Sequence, residues 1–299
     1  MSRTAPELPV AMFDSGVGGL TVLHECLVSL PHEDFLYLGD TERFPYGNRR
    51  PEQLRNFACE LADILVAQGA KLLVVACNSA TAAALPALRE RLAGRLPIVS
   101  VVTPESRLAV QATRTDRIGL IATPATVASG AYEREVAAAS GARAELTAVA
   151  SDDLASLIQR GGEVDQATVE CVERACAPLL EADVDTVILG CTHYPLVRAV
   201  LQRTLGRGVG IVTSGEAIAT EIERELGAAG MAAPAHQKGA YRFLATGDPE
   251  EFRRLGTRFL QLPIARVGHV RVDATSEHAE AVAVGASSGL GPMRSEGSP

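Results

Sequence analysis

The chain has no tryptophan, and aromatic residues make up only 4% of its 299 residues. That argues against a stacking platform for nucleic-acid bases, which needs exposed rings. Positive charge is also short: 28 Lys and Arg stand against 36 Asp and Glu, a net charge of -8. A phosphate backbone is held by excess positive charge, so no direct nucleic-acid binding is expected. No apolar run approaches the roughly 18 residues that a membrane-spanning helix needs. The start, Met-Ser-Arg-Thr-Ala-Pro-Glu-Leu-Pro, lacks an apolar signal segment. A cytoplasmic protein with reduced thiols and no membrane contact is expected. The six cysteines include no Cys-x-x-Cys pair and no zinc-finger spacing, so no metal is expected.

What the chain does have is short apolar runs alternating with helical patterns. Apolar residues make up 47% of it, ample for one large or two modest α/β domains. Strands are predicted over 10–13, 34–38, 72–76, 98–102, 117–122, 144–149, 187–190 and 210–213. Helices are predicted up to residue 30, over 51–68, 168–182 and 215–226, and after most of the other strands. Such alternation means a mostly parallel sheet with helices on both faces. The pattern also repeats weakly. Ala11-Met-Phe-Asp-Ser-Gly16 resembles Gly119-Leu-Ile-Ala-Thr-Pro124, and 98–104 resembles 210–215. The expected fold is α/β: two pseudo-symmetric parallel-sheet domains facing each other across a cleft. The first spans 1–102 plus 214–272, and the second, 103–213, is inserted into it. Residues 273–299, rich in Ala, Ser and Gly, read as a disordered tail.

The repeat pairs two cysteines. Cys77 follows Lys71-Leu-Leu-Val-Val-Ala76, and Cys191 follows Asp185-Thr-Val-Ile-Leu-Gly190. Each thiol should stand at the carboxyl end of a buried strand beside a helix amino terminus, where α/β folds bind ligands and a thiolate is stabilised. Taken alone, Cys77 also fits a small buried hydrophobe, and Cys191-Thr-His193 alone would suggest a cysteine hydrolase. Two matched thiols instead suggest acid–base chemistry from two sides of one substrate. Cys171 and Cys176 fall in a helical pattern and read as packing residues. Phe13-Asp-Ser-Gly-Val-Gly-Gly-Leu20 carries half a dinucleotide fingerprint, with Asp40 ending the next strand. Thr21 replaces the third glycine, and a tight βα turn accounts for the motif as well. Asp14 fits either a proton-handling carboxylate or a helix cap.

These segments resemble those of the glutamate racemases, in the cofactor-independent aspartate/glutamate racemase superfamily. The matching stretches are 13–22, Gly-Asp-Thr-x-x-x-Pro-Tyr-Gly at 39–47, Val-Ala-Cys-Asn-Ser-Ala-Thr at 75–81, Ser-Gly-Ala-Tyr at 129–132 and Leu-Gly-Cys-Thr-His-Tyr-Pro-Leu at 189–196. Thr246-Gly-Asp-Pro-Glu250 resembles a late segment of actinobacterial members. The resemblance implies interconversion of L- and D-glutamate, supplying D-glutamate for peptidoglycan, with no pyridoxal phosphate or other cofactor. By it, Cys77 deprotonates D-glutamate with help from Asp14, and Cys191 deprotonates L-glutamate with help from His193. Ser15, Pro45, Tyr46, Gly47, Asn78, Ser79, Thr123, Thr126 and Thr192 would hold the substrate together with Asp14, Cys191 and His193. The resemblance allows a homodimer. The alternative is a slower or repurposed relative that acts as a binding or regulatory protein, with DNA gyrase as a partner.

Four departures stand out. Gln159 occupies the place of a family glutamate near the second cysteine and histidine. Thr103-Pro-Glu105 replaces the common Glu-Pro-Gly turn. Thr213 takes the variable place in a Val-x-Ser-Gly turn, and Ser79 replaces a common threonine while keeping its hydroxyl.

Overall fold

The computed structural model describes residues 5–272 except Glu163, so the tail expected at 273–299 lies outside the described residues. The described residues form ten strands: β1 (Val10–Asp14), β2 (Phe35–Gly39), β3 (Leu72–Val75), β4 (Ile98–Ser100), β5 (Arg117–Ala122), β6 (Glu145–Ala150), β7 (Thr186–Gly190), β8 (Gly210–Val212), β9 (Tyr241–Ala245) and β10 (Val267–His269). The helices are α1 (Leu20–Ser29), α2 (Pro51–Ala67), α3 (Asn78–Arg91), α4 (Val102–Ala112), α5 (Pro124–Ala128), α6 (Ala131–Ser140), α7 (Leu154–Arg160), α8 (Gln166–Glu181), α9 (Arg198–Leu205), α10 (Ser214–Ala228) and α11 (Pro249–Leu260).

Two parallel sheets form. One has the order β10-β9-β2-β1-β3-β4 and the other β6-β5-β7-β8. With β9 and β10 set aside, the orders 2-1-3-4 and 6-5-7-8 are the same arrangement, so β1 matches β5 and β3 matches β7. The pseudo-symmetry expected from the repeat is present in the strand order. The central strands β1, β3 and β7 are buried along their whole length, which is why they read as continuous apolar runs.

The helices follow local rules. In α2, Pro51 sits in the first turn, where its missing N–H costs nothing, and Leu54, Phe57, Ala58, Leu61, Ala62 and Leu65 form one buried face. Gly69, at φ +83°, carries the chain out of it. Asp165 caps α8 by accepting from Thr168 N at 2.8 Å, and Cys171 and Cys176 lie on its buried face. They are the packing residues expected. α1 packs with α10 and α2 with α3, which places helices on both faces of the first sheet.

Beyond Thr213 the sequence reading assigned only one helix. The structure adds β9, α11 and β10, which extend the first sheet past β2. β9 exposes Tyr241 and Arg242, and β10 is three residues long. β10 is an edge strand and β9 its partly exposed neighbour, and neither has a long apolar run to announce it. Among the described residues, no helix is long and apolar enough to cross a membrane.

Candidate active site

Cys77 and Cys191 follow the matched strands β3 and β7, and both line one cavity between the two sheets. The other walls include Ser15 after β1, Pro45, Tyr46 and Gly47 after β2, Asn78 and Ser79 at the start of α3, Thr123 after β5, and Thr192 and His193 after Cys191. All are carboxyl-end positions of parallel strands, the place where open α/β sheets bind ligands. Asp14 and Thr126, also expected at the site, lie directly behind these walls. Both are fully buried. Asp14 Oδ1 accepts from Thr192 Oγ1 at 3.3 Å, and Thr126 Oγ1 lies 3.0 Å from Thr123 Oγ1.

The halves meet across this cavity through hydrogen bonds. Ser79 Oγ lies 2.8 Å from Thr123 Oγ1, Thr21 Oγ1 donates to Thr192 O at 2.9 Å, and Ala125 N donates to Gly47 O at 2.8 Å. Two glycines permit the approach. A Cβ on Gly18 would stand 2.4 Å from the His193 ring and from Thr192 Oγ1, and one on Gly47 would stand 3.0 Å from Thr123 Cβ. The Gly-x-Gly turn therefore admits side chains of the other sheet rather than a pyrophosphate. Asp40 likewise is not offered to a ribose: it is fully buried, with both oxygens engaged. It accepts from Arg43 Nε at 2.7 Å, from Thr246 Oγ1 at 2.7 Å and from Tyr46 OH.

Burial governs the electrostatics. Cys77 caps α3, accepting from Ala80 N at 3.4 Å. Loss of water pushes its thiol up to about 12, and the Asp14 charge adds to this against the Ala80 and Ser15 hydrogen bonds. Burial pushes the Cys191 thiol up further. The His193 backbone N–H opposes the rise, while Asp14, Cys77 and Glu105 add to it. Asp14 is raised to about 6 by burial, held back by backbone N–H groups of Gly19 and Gly16 and by Thr192.

His193 is lowered to about 3 by desolvation. Its ring lies between Phe44, 5.4 Å away, and Phe259, 5.2 Å away edge-on. Nε2 is 2.8 Å from Gln159 Oε1, an acceptor, so the ring proton sits on Nε2. The Nδ1 lone pair then faces Cys191 Sγ at 3.8 Å. Gln159 thus stands on the histidine, as its aligned position implied. Ser79 keeps its hydroxyl in the contact with Thr123. Thr213 precedes α10 and makes no side-chain cap.

Asp152, Ala155 and Ser156 also line the cavity and were missed in the sequence. They follow β6, so the rule that found the other loops would have found these. Phe44 and Asn48 flank the Pro-Tyr-Gly motif and were equally within reach.

Residues 22–222 match the model of the family described as Asp/Glu/Hydantoin racemase. A glutamate racemase of Parafrankia sp. (strain EAN1pec) is 46% identical over 92% of this chain and 98% of its own length. The chain belongs to this racemase family. Structures in the family agree. A glutamate racemase isoform from Bacillus anthracis superposes with a TM-score of 0.83 at 35% identity, covering 90% of this chain and 98% of that one. Glutamate racemase from Francisella tularensis, in complex with D-glutamate, superposes at 0.82 with 28% identity, covering 90% and 100%. None of these relatives is described as a gyrase-binding protein, and that alternative has no support here.

Proposed function

We propose that this family member interconverts L- and D-glutamate by a cofactor-independent two-base reaction. The observation that carries this reading is that two cysteines, at equivalent strand ends of two matching sheets, line one cavity. The substrate is taken from the relatives, which are glutamate racemases, one of them bound to D-glutamate.

Cys191 as thiolate takes the Cα proton of L-glutamate, and the Cys77 thiol delivers a proton to the opposite face. Cys77 is then the thiolate and Cys191 the thiol, the state required for the reverse reaction. No electron changes hands. Burial favours both neutral thiols in the empty site; the starting thiolate forms by loss of its proton to solvent while the cleft is open, and the ammonium of the incoming glutamate offsets the desolvation penalty once the cleft closes. Asp14 assists Cys77, and the Nδ1 lone pair of His193 assists Cys191. Hydroxyls and amides from Ser15, Asn78, Ser79, Thr123 and Thr192, with the loop of Pro45, Tyr46 and Gly47, hold the substrate, and Thr126 supports Thr123 from behind. The hydroxyls and backbone N–H groups of this set stabilise charge that develops on the substrate carboxylate as Cα loses its proton.

The reading carries a division into 1–102 plus 214–272 and 103–213, with the cleft between them. It also carries a cytoplasmic, homodimeric enzyme supplying D-glutamate for peptidoglycan. The test follows circular dichroism of L-glutamate with purified protein and no added cofactor, in deuterated water. The expected result is decay to the racemate with deuterium at Cα. Cys77→Ala and Cys191→Ala should each lose at least about a thousandfold in rate. Full turnover in either variant would refute the two-base reaction.

A further inference from the structure

Glu105, the acid in the altered Thr-Pro-Glu turn, is completely buried in the first turn of α4. Its Oε2 accepts from Asn78 Nδ2 at 3.2 Å and from Tyr132 OH, and its Oε1 accepts from Ser214 Oγ. Tyr132 OH in turn accepts from Asn78 Nδ2 at 2.7 Å. One carboxylate therefore joins α3, α4, α6 and α10. Two of its anchors, Glu105 and Ser214, lie at the places where the chain passes from β4 into α4 and from β8 into α10.

The consequence falls on Asn78, the neighbour of Cys77. Its amide nitrogen is turned to Glu105 and Tyr132, neither of which lines the cavity, whereas Asn78 itself does. Asn78 Oδ1 is buried and has no hydrogen-bond donor among the described residues. The oxygen is thus the amide atom offered to a ligand. Turning the amide over would set Oδ1 against a carboxylate oxygen and leave its N–H groups facing the cavity, a costly reversal in a buried site. An acceptor suits an α-ammonium group, while a carboxylate would need the opposite orientation.

We propose that Glu105 is a positioning residue that locks the Asn78 carboxamide with Oδ1 toward the cleft, so that this point of the site receives the ammonium group of glutamate. The proposal rests on the glutamate reading above. The lock tolerates loss of the charge. Burial raises Glu105 to about 7 against its hydrogen bonds from Ser214, Tyr132 and Asn78. Protonated on Oε1, it donates to Ser214 Oγ while Oε2 still accepts from Asn78 and Tyr132. A glutamine reproduces that pattern.

The test measures kcat and KM for D-glutamate in Glu105→Gln, Glu105→Ala, Asn78→Ala and the Glu105→Ala/Asn78→Ala double variant. Glu105→Gln should stay within about threefold of wild type, and Glu105→Ala should raise KM at least about tenfold. In the Asn78→Ala background the same change should add less than about twofold, because the residue it positions is already gone. A folded Glu105→Ala protein with unchanged KM, or an effect that adds in full to that of Asn78→Ala, overturns the lock. Should Glu105→Ala fail to fold, Tyr132→Phe takes its place, since it removes only the hydroxyl that meets Asn78. KM should then rise about threefold, again absorbed by Asn78→Ala, and an unchanged KM overturns the proposal. A wild-type protein that does not racemise glutamate refutes the activity, not the lock. The same variants are then compared by calorimetric binding of D-glutamate, and absence of binding overturns the lock as stated.

Discussion

His193 shows how one neighbour sets the chemistry of a residue. The ring sits in an apolar cage of Phe44 and Phe259, and its Nε2 partner is the neutral Gln159. Nothing offsets the desolvation that lowers it to about 3. It serves Cys191 as a hydrogen-bond acceptor and holds a full proton poorly. Gln159→Glu would put a carboxylate beside Nε2 and raise the imidazolium pKa. The sign for stability follows. A ring with a depressed folded value contributes stability that is present above its ordinary 6.5 and lost as pH falls toward 3. Wild type should lose several kcal/mol through this ring between about pH 7 and 4, and Gln159→Glu less, in urea unfolding followed across that range. The variant should also raise kcat/KM by up to about tenfold. The gain must be equal for L- and D-glutamate, because the enantiomers have equal free energy. Superimposable pH–stability curves would contradict this account.

At the scale of elements, the loop after β2 forms one wall of the cavity and is held from below by charge. Arg43 is buried, lies 4.2 Å over the Phe57 ring, and binds Asp40 and, at 2.6 Å, Glu60. Asp40 also takes Thr246 from the segment between β9 and α11. The late strands, absent from the sequence reading, thus help to seat the Pro45, Tyr46 and Gly47 loop. Asp40→Asn leaves Arg43 short of its partner and should cost about 3 kcal/mol of unfolding free energy. With this wall holding substrate rather than moving protons, as proposed above, KM should rise more than kcat falls. Unfolding curves and initial rates on one preparation test both parts, and a variant with wild-type stability would show that the network is dispensable.

On the whole molecule, the cavity has a volume of about 20 Å³. That admits about one water and not an amino acid of ten heavy atoms, so the cavity must widen for glutamate to enter, and parting of the two halves is the expected motion. The bond from Ala125 N to Gly47 O crosses the cleft and reports on that motion. Its amide should exchange with solvent by cleft opening, and saturating D-glutamate should slow the exchange at least about tenfold. Exchange at one rate with and without D-glutamate would mean that the substrate enters by another route.

How much of this was legible in the chain follows from where the information lies. Local patterns sufficed for the parallel strands, the paired cysteines and most of the cavity wall. Continuous apolar runs mark buried strands, and their carboxyl ends mark ligand loops. β9 and the edge strand β10 escaped because both are partly exposed and need no apolar run. The family motifs ranked Asp14 with the substrate-holding residues, and only packing shows it buried behind Thr192. The sequence alone also showed that Glu105 and Gln159 depart from their relatives, without showing what either faces. Residues 105 and 78 lie on different halves and residues 159 and 193 on the same one, yet each pair is separated in the chain and meets only through tertiary packing. Burial and partner, which decide the orientation of an amide and the charge of a ring, are properties of the tertiary structure.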